Sequence, residues 1–394
     1  MTTTVGSVFL GLTVGCAQCH DHKSDPISQA DFYRLRAFFE SGLQFKEQKL
    51  AIAGGEVSGR VMRISSGKLV PTRFAVRGDF RRLGQVVKPA VPRIALGLAE
   101  SSPATSRADL AKWMSGSRNP LFLRSAVNRL WQFHFGQPLA GTPNDIGRNG
   151  EKPSHPELLD WLAAELPRRG WSLKSMHRLL LTSATYRQVS RGEGECWAKR
   201  RAADPGNRLY SRMNRRRLDG ESLRDTLLTL SGRATQRAGG PGVRPPLPRE
   251  ITSTLLKNQW PVSSDEEDHH RRSVYLFARR NLRYPLFELF DRPDGASSCA
   301  RRKESTTAPQ SLILLNSDFS LTMAKALAKR CQVGATPAGE SIRRMYGLLF
   351  QREPSREEMR LARQFVAGPS SGDVEPLAQL ALALINLNEF LFVD

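Results

Sequence analysis

The sequence predicts a mainly α protein. A multi-helix C-terminal domain follows a small β-rich or extended connecting segment, with one or a few short strands. Two observations predict this. From Ser106 onward, apolar residues recur at helical spacing in one segment after another. Several of these segments open on Ser or Pro, and several stop at Gly. A third observation limits the claim: between Gln48 and Gly97, Gly, Val and Pro rise and short strand-like runs surround turns. The chain divides accordingly into residues 1–47, the C-terminal end of a Cys-x-x-Cys-His-containing domain; 48–103, the connecting segment; and 104–394, the helical domain. A Gly/Pro-rich and charged excursion at 233–272 interrupts the last of these.

The elements follow in order. Ser28 with Asp31 three residues on forms a capping box, and Phe32, Leu35, Phe38 and Phe39 continue at helical spacing, so Ser28 to Phe39 reads as a helix. "TRFAVRGDF" and "GQVVKPAVP" read as short strands. "SRADLAKWM" opens on a Ser cap, and "LFLRSAVNRLWQFHFG" stops at Gly136. "SHPELLDWLAAELPRRG" takes Ser154 as cap, Pro156 in its first turn and Gly170 as its end. "SLKSMHRLLLTSATY" and "RRRLDGESLRDTLLTLSG" are further helices, the second closed by Gly232. Past the excursion, "SVYLFARRN" reads as one strand. "APQSLILLNSDFSLTMAKALAKRC", "ESIRRMYGLLF", "SREEMRLARQFVAG" and "VEPLAQLALALINLNEFLFV" return to helix, the last two as a packed antiparallel pair.

The chain has 394 residues and a formal charge of +21. That excess favours anionic partners, and acidic polysaccharide suits it. Nucleic acid is disfavoured: the basic residues are scattered, the clusters at Arg215-Arg216-Arg217 and Arg301-Arg302-Lys303 are short, and no aromatic RNA-binding signature accompanies them. No run reaches the ~18 apolar residues of a membrane span. Val5 to Gly15 is apolar but lacks a preceding Lys or Arg, so it carries no export signal.

The chemistry concentrates in "GLTVGCAQCHDHKSDP". In one reading Cys16 and Cys19 form thioethers with the two haem vinyls, and His20 ligates the iron. Their spacing suits two vinyls while the next residue presents its imidazole. A sixth ligand is not evident; Met62 is the candidate at a plausible distance, with packing in a strand or loop as its alternative. In a second reading Cys16, Cys19, His20 and His22 hold zinc, although four ligands within seven residues crowd a tetrahedron. In a third the stretch is structural. Cys196, Cys299 and Cys331 are isolated, and His134, His155 and His177 read as packing or capping residues. His269 and His270 fall in a charged loop and read as solvated, and Asp145 and Asp291 sit in turns. No Ser/His/Asp spacing, phosphate loop or dinucleotide fingerprint is present.

As a set, these residues resemble a known pair. "FLGLTVGCAQCHDHKSDPISQADFYRLRAFF" resembles the end of the domain of unknown function number fifteen forty-nine. "NPLFLRSAVNRLWQFHFGQPLAGTPNDIGRNGEKPSHPELLDWLAAEL", "NRLYSRMNRRRLDGESLRDTLL", "RRSVYLFARRNLRYPLFELFDRPDGASSCARRKESTTAPQSLILLNS" and "LINLNEFLFVD" resemble the domain that follows it, number fifteen fifty-three. Both belong to large planctomycete proteins that usually carry a cytochrome c domain on the same chain. The resemblance implies an exported protein, periplasmic or at the cell surface, with haem c at Cys16, Cys19 and His20 and a redox partner or cytochrome domain. It implies electron transfer or haem-linked oxidation, and a chain whose first domain is truncated. His22 and Asp25 match the family's "HDHK.DP", while Ser24 departs from the aromatic residue common there. The alternative is a non-redox binding or scaffold protein whose basic surface engages acidic polysaccharide.

Overall fold

A computed structural model of the chain describes all residues except 41–42, 53–54, 65–70, 96–105, 117–118, 257–258, 333, 335–336, 369–373 and 394. The chain forms two compact units, Met1–Asn214 and Arg215–Val393. Among the described residues, helices dominate and the sheets are three two-stranded pairs.

In the first unit, α1 (Thr2–Thr4) runs into a π-helical turn, Val5–Leu10. Gly11 ends it at φ +61, where a Cβ would stand 2.6 Å from the Ile146 side chain. A 3₁₀ turn, Val14–Gln18, carries Cys16. Then comes α2 (Gln29–Ala37), opened by the Ser28–Asp31 capping box that the sequence predicts. Strands β1 (Leu43–Ile52) and β2 (Gly55–Ile64) form an antiparallel hairpin with Leu43 opposite Ile64 and Phe45 opposite Met62. The two runs expected as short strands supply β3 (Arg73–Ala75) and β4 (Leu83–Val86), again antiparallel. A buried cluster of Leu10, Leu12, Val14, Ile27, Phe32 and Tyr33 holds the N-terminal turns to α2.

The remaining helices of this unit are α3 (Arg107–Met114), α4 (Pro120–Phe135), α5 (Pro156–Arg168), α6 (Leu173–Leu181) and α7 (Glu195–Ala203). Gly136, left-handed at φ +77, ends α4 as expected. The start of α5 differs by one residue. His155 occupies the cap position, and Ser154 instead donates its hydroxyl to the Leu139 carbonyl (3.4 Å). A second buried cluster joins α4, α5 and α6 around Val127, Trp131, Phe135, Leu162 and Met176, with Trp131 stacked 4.0 Å from Phe135.

The second unit opens with β5 (Arg216–Arg217), followed by α8 (Gly220–Leu230), capped by Asp219. Short helices α9 (Arg249–Thr252) and α10 (Pro285–Leu289) precede the bundle of α11 (Ala308–Asn316), α12 (Asp318–Cys331), α13 (Ala338–Phe350), α14 (Arg356–Ala367) and α15 (Pro376–Ile385). The run 308–331 is two helices, not one. Ser317 is extended (φ −78, ψ 141), and its hydroxyl accepts the Ser320 N–H to cap α12. The last run likewise breaks, at Asn386 and Leu387, into α15, α16 (Asn388–Leu391) and β6 (Phe392–Val393), which pairs with β5. The core gathers Leu223, Leu227, Phe287, Leu327, Ile342 and Ala381.

"SVYLFARRN" is not a strand. It forms a 3₁₀ turn, Ser273–Tyr275, and two isolated bridges, Leu276 to Val243 and Arg279 to Leu282. The partner segment explains this, because Pro245, Pro246 and Pro248 lack the N–H groups that a ladder would need. Part of the 233–272 excursion is buried, at Val243, Leu247, Trp260 and Arg271.

Candidate functional site

The Cys16–Asp25 stretch is built from the residues that fasten its backbone. The Gln18 carbonyl accepts from Gln29 Nε2 (3.0 Å) and Tyr33 Oη (3.1 Å). Burial pushes the Tyr33 phenol above its ordinary value, so it remains a donor. Gln29 also donates its Nε2 to the Ala75 carbonyl (3.1 Å) and its backbone N–H to Asp21 Oδ1 (2.7 Å). The capped start of α2 therefore grips the loop on both sides of Cys19. At the far end, Asp25 is 3% exposed, and its Oδ1 accepts the Arg148 N–H (2.8 Å). Gly147 lies so close that a Cβ there would meet Asp25 Oδ2 at 2.5 Å.

On this fixed backbone the three residues of the motif behave alike. Cys16 and Cys19 are free, exposed thiols. His20 is exposed, and its Nδ1 lies 2.7 Å from the Asp21 carbonyl. A carbonyl can only accept, so Nδ1 carries the proton and the Nε2 lone pair faces away from that bond. This is the tautomer that an iron- or zinc-ligating imidazole requires.

His22 behaves differently. Its side chain is buried. Nδ1 accepts the backbone N–H groups of Asp25 (2.9 Å) and Ser24 (3.3 Å), so Nε2 carries the proton and donates to Thr13 Oγ1 (3.1 Å). Both nitrogens are engaged, and the ring serves as a brace inside the turn. A zinc site would need His22 turned toward Cys16, Cys19 and His20. Among the described residues, no three His, Cys, Asp or Glu side chains gather as a metal-ligand group. Met62 lies on β2, and its side chain is outside the described residues.

One neighbour of the motif was not legible in the sequence. Gly78, left-handed at φ +76, packs its backbone against Cys19, where a Cβ would approach Sγ at 2.5 Å. The hairpin β3–β4 that carries Gly78 leaves Phe80, Leu83 and Val86 exposed, Phe80 by 79%. Cys19 thus adjoins an element with uncovered apolar side chains. The signal available in the sequence was the "RGDF" turn after a short apolar strand, which reads only as a turn.

The other polar residues divide clearly. His134 Nε2 and His177 Nδ1 are 2.8 Å apart and share a hydrogen bond across α4 and α6. His155 contacts Ser154 Oγ (3.0 Å). His269 and His270 are half-buried rather than solvated, because the 3₁₀ turn Glu266–His270 packs inward over the buried Arg271. Asp291 is far more than a turn residue. It is left-handed at φ +61, and its carboxylate accepts from Arg217 Nη2 (2.8 Å), the Ser305 N–H (2.8 Å) and the Ser305 hydroxyl (2.9 Å). Burial pushes this carboxyl up, but the bonds from Ser305 and Arg217 outweigh it and hold it below the usual range. Arg217 also lies over the Phe290 ring (5.0 Å).

No helix among the described residues is long and apolar enough to cross a membrane. No curated protein and no solved structure matches the chain. Residues 1–43 match the family model PSCyt2, "Protein of unknown function (DUF1549)". Residues 106–366, well over half of the chain, match PSD1, "Protein of unknown function (DUF1553)", and the chain therefore belongs to that family.

Proposed function

We propose that Cys16, Cys19 and His20 form a c-type haem attachment site and that the protein works in electron transfer or haem-linked oxidation. The observation that carries this reading is the contrast within seven residues: His22 is consumed by the fold, while two exposed thiols and one imidazole nitrogen on a clamped turn have no hydrogen-bond partner among the described residues. The donor set fits the group. Each Sγ–H would add across one vinyl C=C, sulfur to one carbon and hydrogen to its neighbour, with no oxidant consumed. His20 Nε2 would hold the iron, oriented by its Nδ1–H bond to Asp21. Gln29 and Tyr33 would keep the spacing of the thiols by fixing the Gln18 carbonyl between them. The hairpin that meets Cys19 at Gly78 exposes Phe80, Leu83 and Val86, apolar surface that a planar apolar group would cover. Bound there, haem would supply a one-electron iron couple whose potential depends on its axial ligands and burial. This reading places the mature protein in the periplasm or at the cell surface, with a redox partner or cytochrome domain to exchange electrons.

The test is maturation of the chain in a host able to attach haem c, followed by a pyridine haemochrome spectrum. Wild type should show a thioether-type band, the double variant Cys16→Ala/Cys19→Ala none, and each single variant a shifted one. A wild type without the band contradicts the proposal.

A further inference from the structure

The second unit holds a half-open cavity of about 560 Å³, well within the range of small-molecule sites. Its wall is largely apolar: Pro245, Pro246, Leu247, Leu286, Phe319 and Met323 face it. Its polar groups divide by depth. Arg224, only 1% exposed, lies at the inner end with His270, whereas Glu250 and Asp318 are exposed residues at the mouth.

Arg224 is a buried cation with little compensation. Nη1 donates to the Arg271 carbonyl (2.8 Å) and to the Ser273 hydroxyl (3.4 Å), and Nη2 to the His269 carbonyl (2.6 Å). Nε has no partner among the described residues. Asp225 approaches only to 3.8 Å, and that carboxylate already accepts the Ser273 N–H at 2.6 Å and faces Arg272 at 3.8 Å. The rings of Tyr284 (5.9 Å) and Phe319 (5.7 Å) flank the guanidinium. A buried charge held mainly by carbonyls and rings is costly unless something anionic completes it. His270 feels the same field. Burial first, then Arg233, Arg224 and His269, push its imidazole below the ordinary value, against an opposing effect of Glu266.

We propose that this cavity binds a small organic monocarboxylate, its acid group at the Arg224–His270 end and its apolar body along the proline wall and Phe319. The carboxylate would supply the missing counter-charge in a low-dielectric setting, where charge-assisted bonds are strong. The acidic mouth sets selectivity, because a second carboxylate on the ligand would face Glu250 and Asp318. The site uses none of the motif residues, so Cys16→Ala should bind the ligand as wild type does.

Calorimetry on the full chain with phenylacetate, its neutral isostere phenylacetamide and the dicarboxylate phenylmalonate tests this. Phenylacetate should bind at least about tenfold more tightly than either of the others. Thr322→Phe, which fills the cavity without altering charge, should abolish binding. Affinity for phenylacetate should rise as pH falls below 6.5 and His270 gains its proton, and His270→Gln should flatten that rise. Arg224→Gln should lose binding. If that variant fails to fold, the decision rests on Thr322→Phe and His270→Gln. Equal binding of acid and amide overturns the proposal, as does unchanged binding in Thr322→Phe, which would place the anion on the basic surface. So does the absence of binding by phenylacetate, benzoate and hexanoate up to about 10 mM.

Discussion

Two irregular loops, one in each unit, are each organised by a carboxylate, yet they end in opposite conditions. In the loop from Cys16 to Asp25, Asp25 and His22 tie the backbone, while the Cys16 and Cys19 thiols and His20 Nε2 have no hydrogen-bond partner among the described residues. In the loop from Asp291 to Gln310, Asp291 draws in Arg217 and Ser305, and Gln310 donates to the carbonyls of Leu289 (2.8 Å) and Ser305 (3.1 Å). The second loop spends Asp291, Ser305 and Gln310 on architecture, and its exposed thiol, Cys299, donates to the Arg301 carbonyl (3.1 Å). The first spends only part, and the remainder is a set of nucleophilic and ligating atoms at the surface. Unspent reactive groups on a rigid backbone distinguish a site from a joint.

The contrast breaks first at Asp291. Replacing it by Ala leaves Arg217, 5% exposed in its side chain, without its carboxylate, and removes the acceptor of Ser305. Stability should fall by about 3 kcal/mol, read from the urea midpoint. Asp291→Asn, which also tolerates the left-handed backbone, should fall by less. Next is His22→Ala, which should cost about 2 kcal/mol through lost buried hydrogen bonds and an empty volume, while leaving haem attachment intact. His20→Ala should do the reverse: little change in the urea midpoint, and a changed iron spectrum. A large loss of stability on removing His20, or none on removing His22, would erase the difference between the two rings.

A smaller effect belongs to a joint at the surface. Arg352 bonds both Glu358 (2.7 and 2.8 Å) and Glu389 (2.6 and 2.8 Å). The Arg352 bond, opposed by burial and aided by Ser355, holds the Glu358 carboxyl at about 2. Because that value lies below the ordinary 4.5, the stabilisation is whole above about pH 4.5 and fades as pH falls toward 2. Glu358→Gln should therefore be less stable than wild type by under about 1 kcal/mol at neutral pH. The gap should close across that window in acid-unfolding curves; a gap independent of pH would refute the role of the ion pair.

Much of the fold was legible because its punctuation is local. Ser28, Ser106 and Ser355 cap helices with the acidic residue three positions on, and Gly136, Gly170 and Gly232 take left-handed turns after helices. What was missed depends on residues far apart in sequence. "SVYLFARRN" has the composition of a strand, but the prolines that deny it a ladder lie about thirty positions earlier. Asp291 looks like any turn aspartate until Arg217, 74 residues away, is beside it. At the candidate site the string Cys-x-x-Cys-His was plain, but the distinction between His20 and His22 was not. It rests on Thr13 and on the turn that aims two N–H groups at one ring nitrogen. The cavity was invisible for the same reason, since its wall is assembled from segments between residues 224 and 323.

Thiol reactivity of the native, haem-matured protein tests the central claim most directly. Burial pushes the Cys331 thiol up to about 11, so it should stay silent, while Cys196 and Cys299 are exposed and should react. If Cys16 and Cys19 hold haem through thioethers, two thiols per chain react, and digestion yields one haem-bearing peptide containing both. Four reactive thiols per chain, with Cys16 and Cys19 recovered on an unmodified peptide, would contradict it.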